Sequence, residues 1–197
     1  MSTGASMRCA MRTLSRNPGE PCGDVVAAWH RDGAIFLCVV DGLGHGPDAH
    51  AAAAVAAGYV AEHLGEELAR VFEGCDRALQ HTRGVAMGLA VIRNERLTYG
   101  GIGNTRVMRV GRRDKRFMSD PGILGTGFRH LMLDSTGLEP GDLVLLFTDG
   151  LNERARIPRP KGAGGADLEA IADRFIEEWR RGRDDAGVLV YEHGGIE

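Results

Sequence analysis

Two apolar runs end on the same dipeptide. IFLCVV runs into Asp41-Gly42, and LVLLFT runs into Asp149-Gly150. Two further runs begin just after aspartate: Asp24 precedes Val25-Val26, and Asp184-Asp185 precede Val188-Leu189-Val190. If these runs are neighbouring antiparallel strands, the end of one lies beside the start of the next, and the carboxylates gather at one edge. Carboxylates packed together repel and raise one another's pKa. Divalent cations that prefer oxygen relieve that cost, and a site rich in carboxylates and poor in nitrogen or sulfur suits Mg²⁺ or Mn²⁺. A single Asp-Gly is most often a turn; four runs with aspartate at matching ends are more than turns require. The segment Asp41-Gly-Leu-Gly-His-Gly-Pro47 is not a dinucleotide fingerprint, because its third required glycine falls on Pro47. It is a carboxylate, a glycine turn and a helix start, a combination able to hold a cation and receive a phosphate.

The elements that must position these groups are mostly short strands. Val25–Trp29, Ala34–Val40, Val85–Ile92, Leu97–Tyr99, Thr105–Val110, His130–Leu133, Leu143–Thr148 and Val188–Tyr191 read as strands bounded by Gly, Asp or Asn. HRDG at 30–33 and GRRDK at 111–115 read as hairpin turns. Pro47 to about Arg70 reads as a helix, with proline and Asp48 in its first turn and early alanines that let it lie close to a sheet. Asp167 to about Arg181 reads as a second, with Leu168, Ile171, Phe175 and Trp179 on one face. A shorter helix fits Val71–Gln80, and 154–165 is a loop by composition. Strands with helices grouped in two places make an α+β layered domain.

Composition removes other classes. The 197 residues, 43% of them apolar, are about one domain's worth. With 27 acidic and 24 basic residues the net charge is −3, against a general nucleic-acid binder. No apolar run approaches the ~20 residues of a membrane helix, and the first twenty residues hold no signal-peptide core. The cysteines at 9, 22, 38 and 75 lack CxxC spacing, so no zinc site is supported, and reduced thiols in a cytoplasm are expected. Glycine, at 29 residues, is about twice its average usage and clusters where tight turns or close backbone approach are needed.

CGDVV (22–26), VVDGLGHG (39–46), GIGNTR (ending at Arg106), LLFTDGLNE (145–153) and DDAGVLV (184–190) occur in this order. Together they resemble the motifs of the metal-dependent Ser/Thr protein phosphatases, the PPM or type 2C class, in its bacterial SpoIIE-like branch. The resemblance covers nearly the whole chain. It implies a two-sheet antiparallel β-sandwich flanked by helices, four layers deep (αββα), as a single domain over 1–197 with a flexible start at 1–7 and no sensory or membrane domain. It implies two divalent cations, Mn²⁺ or Mg²⁺, held by Asp24, Asp41, the Gly42 carbonyl, Asp149 and Asp184. Asp41 would bridge the ions and hold a hydroxide that attacks phosphorus in line.

Two departures matter. The family usually has Ser or Thr where Gly187 stands. Animal members carry a histidine two residues after the bridging aspartate as general acid; Leu43 holds that place here, leaving His45 as the candidate, with a metal-bound water as the other proton source. The phosphate-binding arginine of animal members has Arg16 in roughly its region. The bare catalytic domain further implies phosphorylated STAS-domain proteins of the stressosome as substrates, with neither nucleic acid nor membrane as partner. The alternatives are a phosphatase of an anti-anti-sigma factor, a catalytically weak phosphoprotein-binding scaffold, or a hydrolase of small phosphoesters. Docking candidates are the basic hairpin at 106–116, with Arg112 and Arg113 at its tip, and the loop at 154–165. Asn104 is expected to fix a turn, Arg83 to make a surface ion pair, and Trp29 and Trp179 to anchor the core.

Overall fold

The strands β3 (Ala34–Gly42), β9 (Leu143–Phe147) and β10 (Ala186–Glu192) are nearly continuous apolar runs because both of their faces are covered. The structure is a computed structural model describing residues 7–157, 167–182 and 184–194. Its remaining strands are β1 (Cys9–Leu14), β2 (Asp24–Arg31), β4 (Val85–Arg93), β5 (Arg96–Ile102), β6 (Arg106–Val110), β7 (Lys115–Phe117) and β8 (Asp134–Gly137). Its helices are α1 (Pro47–Glu62), α2 (Leu68–Ala78) and α3 (Leu168–Trp179).

The strands form two antiparallel sheets of five, ordered β2-β3-β4-β5-β8 and β1-β10-β9-β6-β7. Alternation along β3 separates the layers. Leu37 and Val39 face the other sheet, meeting Val144, Leu146 and Leu189, while Cys38 and Val40 face α1 and α2. Across the second sheet, Leu145, Phe147, Val188 and Val190 face α3 through Ala172, Phe175 and Ile176. The order of layers is therefore α1/α2, sheet, sheet, α3, the α+β sandwich expected. Small residues set the spacing on the helical side: Ala49, Ala52, Ala53 and Ala56 are fully buried. Trp29 and Trp179 pack against the helix-side cores. No helix among the described residues is long and apolar enough to cross a membrane.

Several expected elements differ. The first helix stops at Glu62, and the chain turns through Gly65, whose φ of 97° breaks the helix before α2 begins. Residues 130–133 are not a strand. The amide of Met132 donates to the Asp120 carboxylate instead of a ladder, and pairing with β5 starts only at Asp134. The edge strand β1 was unforeseen, because only Ala10 of its six residues is buried. The 30–33 hairpin forms as read, with Asp32 and Gly33 both at positive φ. Of the expected flexible start and the 154–165 loop, residues 1–6 and 158–165 lie outside the described residues.

Candidate metal centre

The register of the first sheet places Asp24 directly opposite Asp41. Two like charges in that relation destabilise a strand pair. The second sheet brings its own acids to the same end: Asp149 follows β9, and Asp184 and Asp185 precede β10. Burial first, then the charges of Asp24, Asp149 and Asp184, push the Asp41 carboxyl up to about 8, and it lies within hydrogen-bonding reach of Asp149. Burial also pushes Asp24 up to about 7, against the Thr148 hydroxyl, with the charges of Asp185, Asp149 and Asp184 adding to the rise.

Both Asp-Gly dipeptides need their glycine for close approach. A Cβ on Gly42 would stand 2.1 Å from the carbonyl oxygen of Ala49, in the first turns of α1. A Cβ on Gly150 would stand 1.8 Å from the carbonyl oxygen of Asp185. These glycines let a helix start and the Asp184–Asp185 segment close down on the strand ends. The loop after Asp41 is held from the other side, where the amide of Leu43 donates to the Gly84 carbonyl at 3.0 Å.

Around the acids lies a layer of fixed partners. The Thr148 hydroxyl donates to Asp24 Oδ2 at 2.6 Å and accepts from the amide of Gly187 at 2.9 Å. A side chain at 187 would crowd Val26 and Asp24, at 3.2 and 3.3 Å. With no side chain at Gly187, the hydroxyl that meets Asp24 is that of Thr148. The amide of Asn104 donates to Asp149 Oδ2. Asp185 is 5% exposed and accepts from the backbone amides of Arg16 (2.7 Å) and Gly23 (3.0 Å), anchoring the turn that carries Asp24. His50 in α1 bonds the Cys22 carbonyl through Nδ1 at 2.8 Å.

Asp24, Asp41, Gly42, Asp149 and Asp184 therefore come to one end of the sandwich. His45 follows on the exposed loop, with no hydrogen bond among the described residues. Arg16 is exposed and contributes its backbone. Arg83 pairs with Asp48 at 2.7 Å, as expected of a surface ion pair. Arg112 and Arg113 sit at the hairpin tip, past the end of β6 that points away from the carboxylates. Asn104 and Thr148 exceed their sequence readings. Their signal was position, a short polar side chain after Gly103 and one directly before Asp149, and each is also common in ordinary turns and strands.

The donors are all oxygen, and the buried acids are held toward their protonated forms, so the end of the sandwich is short of positive charge. Among the described residues no three His, Cys, Asp or Glu side chains already close into a metal cage. An ion such as Mg²⁺, which usually takes one or two carboxylates and keeps several waters, fits this open set.

Comparison with known proteins gives the family and the fold. The family model described as Stage II sporulation protein E (SpoIIE) matches residues 31–193. The phosphoserine phosphatase RsbX of Bacillus subtilis (strain 168) is 27% identical over 143 residues, 71% of this chain and 72% of that one. A crystal structure of RsbX in complex with magnesium superposes with a TM-score of 0.81 at 21% identity, covering 98% of this chain and 97% of that one. A chain from a structure of "the bacterial stressosome: a modular system that has been adapted to control secondary messenger signaling" gives 0.85 at 29% identity, covering 95% and 100%. The Mycobacterium tuberculosis serine/threonine phosphatase PstP/Ppp gives 0.75 at 18% identity, covering 94% and 98%. The two-sheet sandwich is the fold that this chain shares with these phosphatases. Within that fold, the chain belongs to the SpoIIE family.

Proposed function

We propose that the protein is a divalent-metal-dependent phosphatase that removes phosphate from serine or threonine of STAS-domain proteins in a stressosome. The observation that carries the reading is the opposed pair Asp24 and Asp41, both held near neutral pKa, with Asp149 and Asp184 brought to the same end by the second sheet. These four acids and the Gly42 carbonyl would hold two ions, Mn²⁺ or Mg²⁺. When bound, such ions lower the pKa of a coordinated water and offset the charge of a phosphoryl group.

The chain's own residues fix the site before substrate arrives. Thr148 occupies one oxygen of Asp24 and leaves the other available. Asn104 does the same for Asp149. Asp185 holds the 16–23 turn against β10, so Asp24 cannot drift from Asp41. Partners of this kind, outside the ligands themselves, set ligand orientation and affinity. The relation to RsbX and the likeness to the stressosome chain support the substrate class.

The test is phosphate release from a serine-phosphorylated STAS-domain protein in Mn²⁺ and in EDTA, with wild type and Asp41→Asn. Wild type should turn over only with metal, and the variant, which keeps the side chain's size but loses its charge, should be inactive. Wild-type turnover by Asp41→Asn at saturating Mn²⁺ would overturn the assignment.

A further inference from the structure

The two basic segments that the sequence separates, 106–116 and 154–156, meet in one groove beside the acidic end. The groove has a volume of about 980 Å³, and Arg106, Arg116, Arg154, Arg156, Leu43 and Met118 line it. It opens onto the candidate centre: Asn104, also in its wall, bonds Asp149, and Leu43 directly follows Asp41-Gly42. The four guanidinium groups face a single lining carboxylate, Glu153, which stands 3.7 Å from Arg106. Arg116 donates to the carbonyls of Glu153 (2.6 Å) and Ala155 (2.7 Å), and Arg106 to that of Asn104 (2.7 Å). These bonds position the arginines without neutralising them. The side chains of Arg154 and Arg156 are exposed and have no hydrogen bond or ion pair among the described residues. Met118, 73% exposed, and Leu43, 42% exposed, add an apolar floor.

We propose that this groove is the specificity surface of the phosphatase, and that it receives an acidic segment of the substrate protein flanking the phosphorylated residue. The proposal rests on the function proposed above. The acidic end would receive the phosphate only through the ions its carboxylates would hold, and the carboxylates themselves repel an acidic peptide. The arginine groove is the adjoining surface whose charge complements one. Arg112 and Arg113, at the far end of the hairpin, lie outside it.

The test uses two fluorescent phosphoserine peptides that differ only in flanks of three Glu or three Lys. Binding by anisotropy and kcat/KM are measured in Mn²⁺ for wild type and for the Arg154→Glu/Arg156→Glu double variant. Wild type should favour the acidic peptide by about tenfold in both readouts, the scale of a few exposed charge pairs acting together. The variant should lose or reverse that preference. Raising salt to 300 mM should shrink the wild-type preference as screening shortens the reach of the charges. An equal preference in both proteins, or none in wild type, overturns the groove assignment. Selective binding of the acidic peptide without hydrolysis would keep the groove and sink the phosphatase reading. Hydrolysis without flank preference would do the reverse.

Discussion

Replacing Asp41 with asparagine should make the metal-free protein more stable at high pH while removing its activity. The Asp41 carboxyl is pushed up to about 8 from its ordinary 3.8, chiefly by burial and then by the neighbouring acids. A raised acid means that the folded state disfavours the ionised form. Stability is then greatest below the unfolded value, falls as pH rises above it, and reaches its full loss above the folded value. The gap of roughly four pH units corresponds to ~5–6 kcal/mol when fully expressed. Asparagine at the same buried place is still a polar group that burial penalises, so the substitution recovers about half, ~2–3 kcal/mol. For a chain of this size that is a rise of ~5–10 °C in Tm. Thermal unfolding followed by circular dichroism in EDTA at pH 8.5 and pH 5 reads it directly. The variant should melt well above wild type at pH 8.5, and the gap should shrink to under ~1 kcal/mol at pH 5. Added Mn²⁺ should raise the wild-type Tm, by about 2.7 kcal/mol of stability at a hundred times Kd, and leave the variant little changed. A variant that melts at or below wild type at pH 8.5 without metal refutes the claim that these carboxylates are gathered at a cost.

Three further outcomes follow from the same geometry. Thr148→Val keeps the shape but strips Asp24 and the Gly187 amide of their shared hydroxyl; Mn²⁺ affinity by calorimetry should fall about 10- to 100-fold. His45→Ala should cost less than the ~10²-fold typical of a lost proton donor, measured as kcat/KM on a phosphoserine peptide. A larger loss that nitrophenyl phosphate rescues would make His45 the general acid. Gly150→Ala forces a methyl group against the Asp185 carbonyl, so denaturant unfolding should show ~1–3 kcal/mol of destabilisation.

What the sequence made legible follows burial. β3, β4 and β9 are covered on both faces, so each is an unbroken apolar run that needs no partner to be seen. β1 is an edge strand with one buried residue, and nothing in CAMRTL demands a sheet. The break between α1 and α2 hangs on one glycine within an otherwise helical pattern. The acids were legible because they stand at the boundaries of runs, where alternation stops. Asn104 and Thr148 were not, because their partners lie 45 and 124 residues away: Asn104 reaches Asp149 through the pairing of β6 with β9, and Thr148 reaches Asp24 across the two packed sheets. The arginine groove is hidden for the same reason. Arg116 meets the carbonyls of 153 and 155 because β6 pairs with both β7 and β9, a pairing that composition does not carry.

The Asp-Gly repeat then has a cause deeper than turn preference. In each sheet a strand that carries an acid at its end stops where another segment crosses it at backbone contact: α1 over Gly42, and the 185–186 peptide over Gly150. A side chain at either place would lift that segment off the strand end. Over Gly42 the helix start would move away from the loop that carries the Asp41 carboxylate. Over Gly150 the segment of Asp184 and Asp185 would move away from Asp149, and Asp185 would lose its hold on the 16–23 turn and hence on Asp24. The aspartate supplies charge that the fold holds at a cost, and the glycine supplies the proximity that creates the cost. Neither residue has a reason to be there without the other: remove the glycine and the acids separate, remove the acids and the close approach has nothing to bring together.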